Sequence, residues 1–218
     1  VVAVLPGSRT HEVHANWPIM LASIRELYRR HPDVRFCVAA FREKHADYCR
    51  SQMSNDDEPL PLDFYVGKTS EIIEAAQCAM MVSGSVSLEL MARDTPAAVI
   101  YRVGRVFHAF AKTVMKIDSI TLPNLMHDSA IREGDLEGAE RPFDEFVSVG
   151  QREPGIDFLT RSVDEMLTDP LVLEEKRRAL SGLRQRFARP GAGQRAAQQL
   201  LSLLEGTGDE ASAARPAA

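Results

Sequence analysis

The sequence predicts an α/β fold with a mainly parallel, doubly wound, Rossmann-like sheet finished by C-terminal helices. Short apolar runs alternate with longer stretches of helical spacing along most of the chain. The first run, Val1–Leu5, is apolar throughout, as strands buried on both faces are. Two of the junctions between an apolar run and the next helical pattern collect glycine, serine and arginine, at the strand ends where open parallel sheets bind ligands.

Val1–Leu5 reads as the first strand and Pro6–His14 as a loop. Trp17–Arg30 carries Ile19, Met20, Ile24 and Leu27 at helical spacing, with Pro18 acceptable only in a first turn. Val34–Ala40 is the second strand and Arg42–Met53 the second helix. Asn55–Pro61, acidic and proline-bearing, is a loop, and Leu62–Val66 a third strand. Thr69–Ala76 is a short helix capped by Thr69 or Ser70. Cys78–Val82 is a strand, Val86–Arg93 a helix, Ala97–Tyr101 a fifth strand, Val106–Lys116 a helix and Ser119–Leu122 a sixth strand. After Pro142 the pattern turns helical: Gly155–Leu167, Leu171–Phe187 and Gly193–Leu204, punctuated by Pro170, Pro190 and Gly191. Residues 1–206 are expected to form one domain with terminal helices, and 207–218, rich in Gly, Ala and Ser, a disordered tail. A strand at residue 1 with no initiator Met leads us to expect a natural chain that extends further toward its N-terminus.

With 44% hydrophobic and 26% charged residues, the 218-residue chain has the composition of a globular domain. A net charge of −5 argues against a general nucleic-acid binder. Cys37, Cys49 and Cys78 are far apart and show no CxxC or Cys/His spacing, so they read as reduced cytoplasmic thiols with neither disulfide nor zinc. No apolar run approaches the roughly 18 residues that span a bilayer.

Two turns carry the candidate chemistry. In Leu5-Pro6-Gly7-Ser8-Arg9, Gly7 lets backbone approach a ligand, Ser8 offers a hydroxyl and Arg9 a planar fork suited to phosphate oxygens. The same residues would also make a tight turn with a solvated arginine. In Ser83-Gly84-Ser85, small residues leave a helix N-terminus uncovered for an anion such as pyrophosphate. Glu89, about a turn further, is placed to accept hydrogen bonds from ribose hydroxyls, or simply to complement the helix dipole.

Taken together, Leu5-Pro6-Gly7-Ser8-Arg9 with Glu12, Ser83-Gly84-Ser85 through Leu88-Glu89, Pro96 with Val99-Ile100-Tyr101-Arg102, Leu122-Pro123-Asn124-Leu125 and Gly193-Gln194-Arg195-Ala196-Ala197 occur in an order that resembles the C-terminal half of the lipid A disaccharide synthase family. The resemblance covers about residues 1–206. It implies two Rossmann-like domains facing a cleft, with UDP held by the C-terminal one. It also implies an inverting transfer of 2,3-diacylglucosamine from UDP to the 6-hydroxyl of 2,3-diacylglucosamine 1-phosphate. On this resemblance Gly7, Ser8 and Arg9 line the diphosphate, Ser83, Gly84 and Ser85 present the helix N-terminus, and Glu89 meets the ribose. Asn124 is an active-site polar group on the loop after the sixth strand, and Tyr101 either stacks near the uracil or sugar or belongs to the core.

There are two departures. Asp144-Glu145-Phe146-Val147-Ser148 stands where the family often has Pro-Glu-Phe-Leu-Gln, so Ser148 replaces a glutamine, with Gln151 close by. On this resemblance the acceptor-binding N-terminal half is expected to lie outside residues 1–218, so no residue is assigned as catalytic base and the chain alone is expected to bind UDP without turnover. No DxD motif suggests a metal, and no cofactor is expected. His11 and His14 follow the first loop, and the other histidines show no ligand spacing. Arg102, Arg105, Lys112 and Lys116 interleave with Val103, Val106, Phe107, Phe110, Val114 and Met115. That segment fits an ordinary helix on the sheet or a basic amphipathic helix against the inner membrane. The competing readings are another UDP-N-acetylglucosamine enzyme of similar architecture (a peptidoglycan glycosyltransferase or a 2-epimerase) and a non-catalytic nucleotide-binding module.

Overall fold

The computed structural model describes residues 1–53, 60–104, 119–132, 140–188 and 191–213. The chain divides into two compact units, Val1–Arg184 and Gln185–Ala218. In the first, the strands are β1 (Val2–Leu5), β2 (Phe36–Ala40), β3 (Leu62–Val66), β4 (Cys78–Val82), β5 (Ala97–Val103) and β6 (Phe143–Val149). They form one parallel sheet in the order β3-β2-β1-β4-β5-β6. The helices are α1 (Thr10–Arg30), α2 (Glu43–Ser51), α3 (Thr69–Ala75), α4 (Val86–Ala92), α5 (Leu122–Arg132), α6 (Glu153–Thr168) and α7 (Pro170–Phe187), the last ending just past the boundary between units. The second unit holds α8, Ala192–Ala213, which runs past Leu204, where the sequence pattern ends the helix.

Alternating strand residues feed two cores. Val2, Val4, Met80 and Ile100 pack under α1, α2 and α6, where Trp17, Ile24, Leu27, Cys49, Leu159 and Val163 are buried. Ala3, Leu5, Met81 and Val99 face α3, α4, α5 and α7, with Ile73, Leu90, Met126, Leu180 and Leu183. Each fully buried Ile, Leu, Met or Phe contributes about 1.5–3 kcal/mol over its exposed state. Cys49 and Cys78 are buried, and burial pushes both thiols up to about 12, so they behave as small apolar residues.

Three sequence expectations need correction. Helix α1 begins at Thr10, inside the stretch read as a loop, and Pro18 lies within it rather than in its first turn. The apolar stripe extends back to Val13, and burial of Val13, Trp17, Met20 and Ile24, with Trp17 Nε1 donating to the Cys49 carbonyl at 3.1 Å, outweighs the backbone bond that proline removes. The sixth strand is Phe143–Val149, not Ser119–Leu122, and pairs with β5 from Ala97↔Phe143 to Val103↔Val149. Its acids disguise it, yet both are satisfied: Asp144 by the Lys176 ammonium at 2.7 Å, and Glu145 by the N–H groups of Ile120 and Thr121 at 2.7 and 2.9 Å. Asn124 is therefore not on a loop after strand six but in the first turn of α5, between β5 and β6. The expected helix Val106–Lys116 lies outside the described residues, as does the basic segment beyond Gly104 up to residue 118.

Candidate functional site at the switch point of the sheet

Strands β1 and β4 are neighbours, with Leu5 opposite Met81, so the turns that follow them lie side by side at the carboxyl edge of the sheet. The chain leaves β1 through α1 on one face and leaves β4 through α4 on the other. The two connections diverge at this switch point, and the crevice between such connections is where doubly wound sheets bind ligands.

The first wall is Pro6–Arg9. Gly7 has φ +116°, a backbone state that side-chain-bearing residues rarely adopt, and a Cβ there would stand 3.0 Å from Glu12 Cβ. Ser8 and Arg9 are exposed. Glu12 is buried beneath them: its Oε2 accepts the Arg9 backbone N–H at 3.2 Å, and its Oε1 accepts Arg9 Nη1 at 2.8 Å. The Arg9 side chain is 72% exposed against 8% for Glu12, so the fork is held from below and open above.

The second wall is Ser83–Ser85. Ser83 Oγ donates to the Ile120 carbonyl at 2.5 Å, tying this turn to the segment before α5. Gly84 and Ser85 are exposed, and a Cβ on Gly84 would meet nothing within 4 Å. Its lack of a side chain is thus not demanded by packing. Ser85 makes no capping bond to α4. Glu89 is half-buried, accepts a hydrogen bond from Ser70 Oγ of α3 and pairs with Arg93 at 3.3 Å. Its carboxylate is anchored before any ligand arrives.

Of the predicted residues, Gly7, Ser8 and Arg9 thus come together with Ser83, Gly84 and Ser85, and Glu89 stands one turn behind. Tyr101, on β5, is partly buried against the core under α1 and α6. Asn124 is fully buried, donating from Nδ2 to the Phe143 carbonyl at 2.9 Å and accepting the Phe143 N–H on Oδ1 at 3.2 Å. It clamps α5 to the start of β6 and supports the crevice from within the protein. Asn124→Leu should strand both backbone groups of Phe143 and destabilise the domain by about 1–3 kcal/mol, read as a lower urea midpoint at unchanged m-value. Ser148 is buried near Gly155 of α6, away from the crevice, and Gln151 is exposed. His14 stacks on Tyr48 at 3.9 Å and His11 is exposed.

Sequence reasoning missed Glu145 and Ser70. Glu145 also accepts from Thr121 Oγ1 and so fixes the Ser119–Thr121 segment that Ser83 grips. Nearby, burial raises the Asp128 carboxyl, but Ser119 and Arg141 outweigh it and hold the group below its ordinary value. Among the described residues no group of three His, Cys, Asp or Glu could hold a metal, and no helix is long and apolar enough to cross a membrane.

The profile of the lipid-A-disaccharide synthetase family matches residues 1–142. Over 131 residues the chain is 32% identical to a lipid-A-disaccharide synthase of Psychromonas ingrahamii, covering 60% of this chain and 34% of that protein. Synthases of Syntrophus aciditrophicus (28% over 204 residues) and Geobacter sulfurreducens (25% over 210) each match 94% of this chain and 49% of their own length. The chain therefore spans about a third to a half of the curated relatives it matches. Among solved structures, the GtfA/B complex aligns at TM-score 0.54 and 11% identity over 92% of this chain and 35% of its own. A glycotransferase of kitacinnamycin aligns at TM-score 0.50 and 18% identity over 91% of this chain and 42% of its own. These two likenesses concern the fold.

Proposed function

This chain belongs to the lipid-A-disaccharide synthetase family, and from that membership we propose that it is the part of such an enzyme that holds the UDP-linked donor. The observation that carries the reading is the pairing of two exposed turns, Gly7–Arg9 and Ser83–Ser85, across the switch point. Arg9 would take diphosphate oxygens with its free N–H groups, and Ser8, Ser85 and the backbone at Gly7 and Gly84 would approach the same group. Glu89 would accept the ribose hydroxyls, Tyr101 would stand near the base or sugar, and Asn124 would keep α5 in place.

The reaction so supported is attack by the 6-hydroxyl of 2,3-diacylglucosamine 1-phosphate on the anomeric carbon of UDP-2,3-diacylglucosamine. The anomeric carbon–oxygen bond to the diphosphate breaks, UDP leaves with that electron pair, and the β-linked disaccharide forms. Arg9 would stabilise the charge gathering on the leaving diphosphate, without a metal. The hydroxyl proton must go to a general base. Neither carboxylate at the crevice is assigned that role, since Glu12 is engaged by Arg9 and Glu89 by Ser70 and Arg93. The base and the acceptor pocket are proposed to lie on an acceptor-binding domain. Acylated substrates would bring the work to the inner-membrane surface, with Arg105, Lys112 and Lys116 as the proposed contact, whereas Arg102 is held by the Gly150 carbonyl at 2.7 Å.

Titration calorimetry tests this. UDP should bind the folded chain more tightly than uridine. Glu89→Ala should weaken UDP by about 1.5 kcal/mol, roughly tenfold and at the low end for a charged hydrogen bond, because Ser70 and Arg93 already share the carboxylate. Pyrophosphate affinity should not change. Folded protein that ignores UDP would sink the reading.

A further inference from the structure

We infer that Glu12 is a positioning residue for the anion site, acting through Arg9; this rests on the reading of Arg9 as a diphosphate ligand. A buried carboxylate beneath an anion site is, taken alone, a fault. At a few ångströms a carboxylate repels a diphosphate, and the repulsion grows as water is excluded. The geometry shows what the residue does instead. One oxygen of Glu12 accepts the Arg9 backbone N–H and the other accepts Nη1, so the main chain and the guanidinium of the same residue are fixed by one rigid group. The fit extends to Gly7, where an added Cβ would stand 3.1 Å from Oε2. Glu12 is in turn held by burial and by its place in the first turn of α1, whose Asn16 Nδ2 donates to the Glu12 carbonyl at 2.8 Å. Arg9 is long, flexible and mostly exposed, and a free arginine loses much rotamer entropy on binding. Using Nη1 on Glu12 leaves the remaining N–H groups for the ligand and settles that entropy in advance.

Two effects of opposite sign can therefore be separated. If Glu12 acts only as a nearby negative charge or a helix cap, Glu12→Gln should leave UDP affinity unchanged or raise it. If it positions Arg9, Glu12→Gln should lower UDP affinity about five- to twentyfold. Uridine, which has no phosphate, should be unaffected. In an Arg9→Ala background the guanidinium is gone and Glu12 keeps its repulsion and its bond to the residue-9 amide, a bond that a glutamine oxygen can also accept, so adding Glu12→Gln should then cost nothing or improve binding.

This reversal of sign is the readout, because a merely structural defect would weaken binding in both backgrounds. Glu12→Asp serves as the second variant. It keeps the charge but is one methylene too short to meet the Arg9 amide and guanidinium together, so it should also lose UDP affinity while retaining most thermal stability. UDP binding by Glu12→Gln or Glu12→Asp as tight as wild type, with Arg9→Ala impaired, overturns the inference and spares the role of Arg9. UDP binding unaffected by Arg9→Ala overturns that role itself.

Discussion

Replacing Asp144 by alanine is expected to destabilise the domain by about 3–5 kcal/mol, because it leaves the Lys176 ammonium buried without its partner. Lys176 is 4% exposed and its Nζ lies 2.7 Å from Asp144 Oδ1. The partners are not symmetric, since the Asp144 side chain is 29% exposed and water can reach it. Lys176→Met fills the same volume and leaves a carboxylate that can be hydrated, so it should cost about 1 kcal/mol or less. Urea unfolding of both variants and of Asp144→Leu/Lys176→Met checks this. The double variant should recover most of the stability lost in Asp144→Ala. Equal losses for the two single variants would mean that the pair is valued for its geometry, not for neutralising a buried cation.

The second large effect concerns ligand binding. Arg9→Ala is expected to lower UDP affinity by about 2–3 kcal/mol, roughly 30-fold to 150-fold. Arg9→Lys should lose most of the same amount, because an ammonium keeps the charge but cannot span Glu12 and a diphosphate with parallel N–H groups. Arg9→Ala should lower the melting temperature somewhat, because it leaves the buried Glu12 carboxylate with the residue-9 amide alone, so affinities are compared where every variant is folded. Uridine affinity should not depend on residue 9. The loss should also persist at moderate salt, since a diphosphate lying between two strand-end turns is partly shielded from counterions. Full UDP affinity in Arg9→Lys would reduce Arg9 to a surface charge beside a tight turn.

How much of this was readable in the sequence depended on where each residue's partners lie. The apolar strand Val1–Leu5 and the motif after it announced both a buried central strand and a ligand-facing turn, because both signals are local. The parallel-sheet rule put Pro6–Arg9 and Ser83–Ser85 on one edge of the sheet, but their adjacency rests on the strand order, which no local signal reveals. Phe143–Val149 was missed because two consecutive acids contradict a buried strand unless Lys176 and the amides before α5 are known to meet them. The start of α1 was missed because its cap is a Glu12–Arg9 pair, not a serine or aspartate. Asn124 looked like a loop residue because nothing nearby in sequence reveals that Phe143 occupies both ends of its amide.

The placing of β1 between β2 and β4 also has a consequence in time. One wall of the crevice is built by β1 and α1, but the other arrives only when Val2 pairs with Cys78, across the whole stretch of chain that carries β2, α2, β3 and α3. Closing so long a loop costs chain entropy before any contact offsets it. On the proposed function, competence to hold a nucleotide is therefore absent from any partly assembled sheet in which β4 is still undocked. A nucleotide that fits between the two turns recognises only chains that have completed this step, and by mass action it draws the population toward them.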